Sequence, residues 1–231
     1  RRSSDLTPYE TALKKCIHAC RITGHSLAVA SEGSFGPHPD LGFIPSDDEL
    51  VLLYDAHNKL EISARELTTD TNFAGRQISS VREAQQFATA AGFPLHALIL
   101  RTHEHDTHHV MKGISDMRTL LAAVEKRLET HDSVYITTDM RAMYNPTRMQ
   151  VIEKATRKLI DKVAECCPAC TTPGYAVTNY HTGLPCSLCS APTRSVLSVV
   201  YTCSKCNHTN TVKYPKGKTS EDPMYCDWCN P

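Results

Sequence analysis

At 231 residues and 41% hydrophobic content, the chain has material for one sizeable core and a smaller appended module, which excludes a disordered tail. Lysine plus arginine and aspartate plus glutamate balance at 25 each, so no overall field draws the molecule to nucleic acid or to an anionic membrane surface. No apolar run approaches the roughly 18 residues that span a bilayer, and no charged-then-apolar signal peptide opens the sequence, so a membrane partner is not expected.

The first predicted element is a helix running to about Thr23. Thr7 serves as N-cap, Pro8 takes the first helical position, Glu10 completes a capping box, and Gly24 stops the helix. Cys16 and Cys20, one turn apart, read as core thiols and not as ligands. Residues 26–30 (SLAVA) form a short buried strand, and residues 31–48, with three glycines and three prolines, should be loop. A glycine-bearing loop after a buried strand is a usual ligand address in α/β proteins. In it Ser31, Gly33 and Ser34 are candidate anion-binding residues, Glu32 could hold Mg²⁺, and His38 could move a proton. An ordinary rigid Pro/Gly loop is the competing reading.

Residues 49–54 and 59–66 make a hairpin, with Leu60, Ile62 and Ala64 alternating inward. Ser80-Val81-Arg82-Glu83 is a second capping box, opening a helix to Ala91 that Gly92 and Pro94 end. Residues 96–100 (HALIL) are a buried strand. Just after it, residues 101–109 hold four histidines and two carboxylates; His103 and His105 with Asp106 or His108 could bind a divalent metal, but a solvated polar loop is the stronger reading. Ser115 caps a third helix through Leu128, and residues 133–137 are another strand. Asn145-Pro146 opens a long helix to Glu165, with Ile152, Ala155, Leu159, Ile160 and Val163 on one face.

Between that strand and helix lie Asp139, Arg141, Asn145 and Arg148. Two guanidinium groups and a free helix N-terminus make an anion-binding corner, although Asp139 could equally pair with Arg141 or Arg148 and do nothing more. Helix, strand, helix, strand, helix after residue 80 argues for an α/β layer with crossovers, joined to the hairpin in a mixed sheet. If the strands at 27–30 and 133–137 are parallel neighbours, the two candidate loops meet at one sheet edge.

Cysteine usage divides the chain, since nine of the 11 cysteines lie at or after Cys166. An α/β domain at 1–165 and a cysteine-rich module at 166–231 follow. Four Cys-x-x-Cys knuckles, Cys167/Cys170, Cys186/Cys189, Cys203/Cys206 and Cys226/Cys229, suit two zinc ions, because two knuckles complete one tetrahedral thiolate site. Sequential pairing leaves 15 residues between Cys170 and Cys186 and 19 between Cys206 and Cys226, both in the zinc-ribbon range; interleaved pairing closes longer loops. Asn207 and Asn230 follow second cysteines, where a knuckle needs positive φ. Four thiolates leave no open coordination position, so these ions are structural. A disulfide framework fits an odd cysteine count worse, and a reducing, cytoplasmic setting follows. Arg194, Lys205, Lys213, Lys216 and Lys218 outnumber Glu221, Asp222 and Asp227, but the charge of the thiolate sites cancels that surplus. Nucleic acid is therefore a disfavoured partner of the module, with Tyr201, Tyr214 and Trp228 as stacking faces if it binds at all.

The segments SEGSFGPHP, FIPSDDEL, RELTTDTNFAG, GFPLHALILR, KGI and TDMRAMYNPTRM, with the closing CPAC, GLPCSLC, YTCSKC and YCDWCNP, together resemble an uncharacterised bacterial family, a domain of unknown function. The resemblance covers nearly the whole chain and implies no established activity. It implies further residues before Asp5, so that an N-terminal strand and helix of the α/β domain would lie outside this sequence. A shorter stretch, Thr11 to Lys15, Thr23-Gly24, the strand at 27–30 and Ser31-Glu32-Gly33, is similar to the inosine triphosphate pyrophosphatase group. That similarity implies magnesium-dependent cleavage of a nucleoside triphosphate with Glu32 on the metal. Two functions are therefore expected in competition. One is a metal-assisted hydrolase of a nucleotide or other phosphorylated compound, with Glu32, His38 and Asp139 as its catalytic set; the other is a non-enzymatic adaptor whose zinc tail docks protein or nucleic acid.

Overall fold

The computed structural model describes residues 6–231. It divides into two compact units, one running to Lys158 and the other from Leu159 to Pro231.

The first unit opens with α1 (Pro8–Thr23), capped as its sequence predicts: Thr7 and Glu10 form the capping box, and Gly24 closes the helix at φ 74°. Its buried side, Ala12 and Cys16, packs with Leu52, so Cys16 is a core thiol. Three strands follow, β1 (Leu27–Pro37), β2 (Pro45–Asp55) and β3 (Leu60–Thr68), in an antiparallel sheet with β2 central. Here the expected loop at 31–48 is corrected. SEGSFGP continues the strand, because each residue from Leu27 to Pro37 has a partner on β2 out to Pro45, and this ladder overrides the glycine and proline content. The turn contracts to residues 38–44, closed by the His38 N–H donating to the Ile44 carbonyl at 2.8 Å.

A second sheet contains β4 (Gly75–Ile78), β5 (Leu98–Arg101), β6 (Met111–Ile114) and β7 (Val134–Thr138), in the order β4-β7-β5-β6. The helices α2 (Val81–Ala90) and α3 (Met117–Leu128) contribute Phe87, Leu120 and Val124 to its core, with Leu98, Leu100, Val134 and Ile136 from the strands. The architecture is mixed α/β, but the finer expectation of parallel neighbours gives way. Every strand pairing in both sheets is antiparallel, and β1 and β7 belong to different sheets. The reason is β7, which inserts between β4 and β5, the two strands that α2 joins. The cap of α3 also lies one residue later than predicted: Asp116, not Ser115, accepts from the Thr119 N–H at 2.8 Å.

The last helix, α4 (Pro146–Ala164), is opened by Asn145, whose side-chain oxygen accepts from the Arg148 N–H at 3.0 Å. The second unit carries β8 (Ala176–Thr182), β9 (Val196–Thr202) and β10 (Thr209–Lys213), an antiparallel sheet with β9 in the centre. Among the described residues no helix is long and apolar enough to cross a membrane.

Candidate functional site

In the second unit the eight knuckle cysteines gather into two groups of four, Cys167, Cys170, Cys203 and Cys206, and Cys186, Cys189, Cys226 and Cys229. The pairing is interleaved, not sequential. Sulfur separations are 3.7 Å for Cys167–Cys206, 3.6 Å for Cys170–Cys203, 3.9 Å for Cys186–Cys229 and 3.6 Å for Cys189–Cys226. A tetrahedron of thiolates at ~2.3 Å from a central ion puts its sulfurs ~3.8 Å apart, so both groups fit a metal ion of zinc's size. The longer loops are accommodated because β8 and β9 lie between knuckles and pair with each other.

Each knuckle turns in the same way: the N–H groups of Thr171, Ser190, Asn207 and Asn230 donate to the carbonyls of Cys167, Cys186, Cys203 and Cys226. Thr171, Ser190 and Asn207 take φ near 58–59°, as expected for Asn207; Asn230, of which the same was expected, does not, and Thr171 and Ser190 show that the turn accepts other small polar residues. Sulfurs this close cannot all be thiolates without a cation among them. The Cys189 thiol, hydrogen-bonded to Cys229, pushes it up to about 12, whereas the Thr172 hydroxyl beside Cys170 brings that thiol down to about 6.

The first unit holds a cavity of about 520 Å³. Phe35 of β1 lines it, as do Phe73, Ala74 and Gly75 at the start of β4. Tyr135, Thr137 and Thr138 of β7 and the following Asp139, Met140 and Arg141 make another wall, with Arg148 from α4. Ile99, Arg101, Glu104, His105 and Lys112 complete it. The two segments singled out in the sequence, 31–38 and 139–148, therefore do reach one cavity, through Phe35 on one side and Asp139, Arg141 and Arg148 on the other.

Most of these groups are held in place by others. Asp139, fully buried, accepts from the Gly113 N–H at 3.0 Å, the Arg141 N–H at 3.1 Å and Arg141 Nη2 at 2.6 Å. Burial pushes its carboxyl up, but the bonds from Arg141 and Gly113 outweigh it and hold Asp139 below the usual range. Arg141 also lies over the Tyr144 ring at 4.4 Å. Arg148 donates to Glu49 at 2.5 Å and to the Met140 carbonyl at 2.5 Å, and stacks on Phe35 at 5.0 Å. Asn145 is buried and donates to Asn72 at 2.8 Å, so it fixes the turn and caps α4.

Arg101 is different. One guanidinium nitrogen donates to the Glu104 carbonyl at 3.0 Å, but its Nε is buried without a hydrogen-bond partner. Lys112 has no ion-pair partner among the described residues. Four cationic side chains thus face two carboxylates, Asp139 and Glu104, in one concavity with three aromatic rings. Tyr135 is raised by burial and by its contact with Glu104.

The remaining sequence candidates sit elsewhere. Glu32 pairs with Lys15 of α1, and the Ser31 carbonyl accepts from the same lysine at 3.2 Å; neither residue lines the cavity. Ser34 is exposed. His38 Nδ1 accepts from the Asp40 and Leu41 N–H groups at 3.1 and 3.3 Å, a turn-capping role. Gly33 serves packing, since a Cβ there would stand 2.3 Å from Glu49 Oε1. The histidine-rich segment is a turn around Asp106, which accepts from the His108 and His109 N–H groups at 2.8 and 3.2 Å. Among the described residues only the two cysteine groups bring three or more metal-ligating side chains together. Sequence reasoning missed Arg101, Lys112 and Tyr135. An arginine ending the apolar run LILR was the available signal, because a cation on a buried strand needs a partner.

A family model described as a domain of unknown function (DUF6671) matches residues 15–231. No curated protein and no solved structure matches the chain.

Proposed function

The chain belongs to the DUF6671 family of domains of unknown function, and we propose that it is a zinc-stabilised protein whose α/β unit takes a nucleotide or another phosphorylated compound into the cavity beside Asp139. The observation that carries this reading is the cavity's excess of cations, Arg101, Lys112, Arg141 and Arg148 against Asp139 and Glu104, with the Nε of Arg101 left without a hydrogen-bond partner. A buried donor without an acceptor costs about 1–3 kcal/mol, and an anion with several oxygens is what such a guanidinium takes up. Phe35, Phe73 and Tyr135 offer rings against which a base can lie.

Zinc is proposed for the two cysteine groups because tetrahedral sets of four thiolates suit it, and such closed sites stabilise the fold without taking part in catalysis. Eight reduced thiols suit a reducing, cytoplasmic setting. Magnesium has weaker support, since Glu32 is engaged by Lys15, and Asp139 by Arg141 and Gly113. Binding therefore comes first in this reading, and hydrolysis is a second step in which the same cations would neutralise charge growing on a phosphate.

Calorimetric titration of nucleoside mono- and triphosphates and of ribose 5-phosphate at low salt tests the proposal, with phosphate release in added Mg²⁺ as its second arm. Binding that weakens with salt and is lost in Arg101→Ala is expected. Absence of binding by every phosphorylated compound would sink the reading.

The tail supports a second reading, as a docking module for protein. Leu188 and Trp228 occupy equivalent places in the two knuckles of one cysteine group and are 73% and 77% exposed, with Tyr225 59% exposed nearby in sequence. The other group has Ala169 and Lys205 at those places. An apolar knuckle tip in water suits a protein surface better than a phosphate backbone. Loss of a captured partner in Trp228→Ala, with metal content unchanged, is the expected result.

A further inference from the structure

Two carboxyl groups, Asp47 and Glu49, stand beside the cavity wall, and one cation, Arg148, pairs with the second of them. Asp47 and Glu49 alternate along β2, so they share the sheet face opposite the one on which Leu52 packs against α1. Both are fully buried, at 0% exposure. Asp47 lies across from Phe35, and Glu49 across from Gly33. A side chain at position 33 would meet Arg148 Nη2 at 2.5 Å as well as Glu49, so glycine there leaves room for the Arg148–Glu49 pair. Arg148 serves Glu49, stacks on Phe35 and lines the cavity.

Neither oxygen of Asp47 has a donor from which to accept. The group within hydrogen-bonding reach is Glu49, itself a carboxyl. Two carboxylates repel; with one proton between them the contact becomes a hydrogen bond and the buried trio becomes neutral overall. The other charged groups around the pair are already engaged. Asp48 points to the opposite face and pairs with Arg65, and Glu66, across from Glu49 on β3, pairs with Lys158 of α4. The β1 neighbours Gly33 and Phe35 bring no charge.

We propose that Asp47 and Glu49 share one proton, and that Arg148 couples this proton site to the cavity, so that an anion bound there draws a proton into the pair. The second half rests on the cavity reading above; the first does not. An anion that accepts from Arg148 adds negative charge near the carboxyls and competes for their cation, and both effects favour protonation. By reciprocity, deprotonating the pair tightens its hold on Arg148 and weakens anion binding. Asp47 is thus a positioning residue that acts through Arg148. Burial, and then the Glu49 carboxylate, push Asp47 up to about 7 against the pull of Arg148, which places the proton in the physiological range.

The test is a carboxyl-carbon NMR titration of the full zinc-loaded chain, the Asp47 signal being identified by its loss in Asp47→Asn. If that variant fails to fold, Glu49→Gln identifies the signal as the one whose midpoint drops. Inorganic sulfate is the probe, because it does not titrate in this range. A midpoint near 7 that rises with sulfate, and proton uptake on sulfate binding that Asp47→Asn abolishes, are expected. A midpoint near 4, the ordinary aspartate value, overturns the shared proton whatever the cavity binds. A midpoint unmoved by bound sulfate overturns the coupling. No sulfate binding overturns the coupling together with the cavity reading, and the shared proton is then judged by the midpoint alone.

Discussion

Arg148 Nε stands 2.5 Å from Glu49 Oε1, joining residues 99 positions apart, and the Glu49 side chain has no access to solvent. Removing the guanidinium strands a buried carboxylate, so Arg148→Ala should destabilise the first unit by about 3–5 kcal/mol. Glu49→Gln, which keeps shape and removes the charge, should cost less. Urea unfolding of the two variants measures the difference; a loss under ~1 kcal/mol for Arg148→Ala would show that the pair is solvated.

Glu32 gives the opposite expectation. Its partner Lys15 is half exposed, and exposed pairs contribute about 0–1 kcal/mol. Glu32→Gln should therefore melt within a few degrees of the parent and bind phosphorylated compounds with unchanged affinity. A loss of affinity in calorimetry would bring Glu32 into the site after all.

Purified protein should contain two zinc ions per chain. Cys203→Ser should remove the ion held with Cys167, Cys170 and Cys206 and keep the one held by Cys186, Cys189, Cys226 and Cys229. Because metal binding and folding are coupled in such modules, a strong chelator should unfold the tail. Elemental analysis and thiol titration check this, and loss of both ions from the single variant would mean that the sites fill only together.

Gly113 sits at φ 71°, donates to Asp139, and has Tyr144 and Arg141 where a Cβ would go, at 3.0 and 3.2 Å. Gly113→Ala should cost about 1–2 kcal/mol for the left-handed backbone alone, and more for the contacts. The expected readout is a lower melting temperature together with weaker anion binding, since Arg141 must shift. An unchanged melting temperature would contradict the assigned backbone.

Asp47 also sets a pH dependence of stability. Its folded value, about 7, lies above that of an unfolded aspartate, so its protonated form stabilises the fold fully below pH ~4 and progressively less as pH rises to about 7. Asp47→Asn cannot titrate. Its stability relative to the parent should therefore improve between pH 5 and pH 8, as read from paired urea curves; a constant difference would place Asp47 in the ordinary range.

Local signals were the legible part of this sequence. The Thr7–Glu10 box, Gly24, and the four knuckles act over a few residues, and each does what its chemistry requires. Strand 27–37 was half legible: SLAVA announced it, but its continuation through two glycines to Pro37 depends on a β2 ladder that composition does not reveal. Glu83 shows the same limit on a smaller scale, since its carboxylate accepts from the Ser79 N–H at 2.7 Å. The cavity was legible in its conspicuous cations, Arg141 and Arg148, but not in Arg101 or Lys112, whose convergence is a product of strand order. Asp47 and Asp48 fall at the end of the expected loop and Glu49 at the start of the expected strand; only the register reveals which face each one takes.

The interleaving of the knuckles bears on how the chain is made. Cys167, Cys170, Cys186 and Cys189 all leave the ribosome before Cys203, and neither set of four exists until its later pair follows. A growing chain thus carries four knuckle thiols without their partners for the time that the next stretch takes to synthesise, and the earlier set of four is complete before Cys226 has appeared. A message cut short between the second and third knuckles yields a protein that can hold neither ion with its intended ligands. One cut short after Cys206 yields a protein with one complete site and one open pair. The order of the cysteines thus makes one set of four the mark of a chain extended at least to Cys206, and two sets the mark of one extended to Cys229.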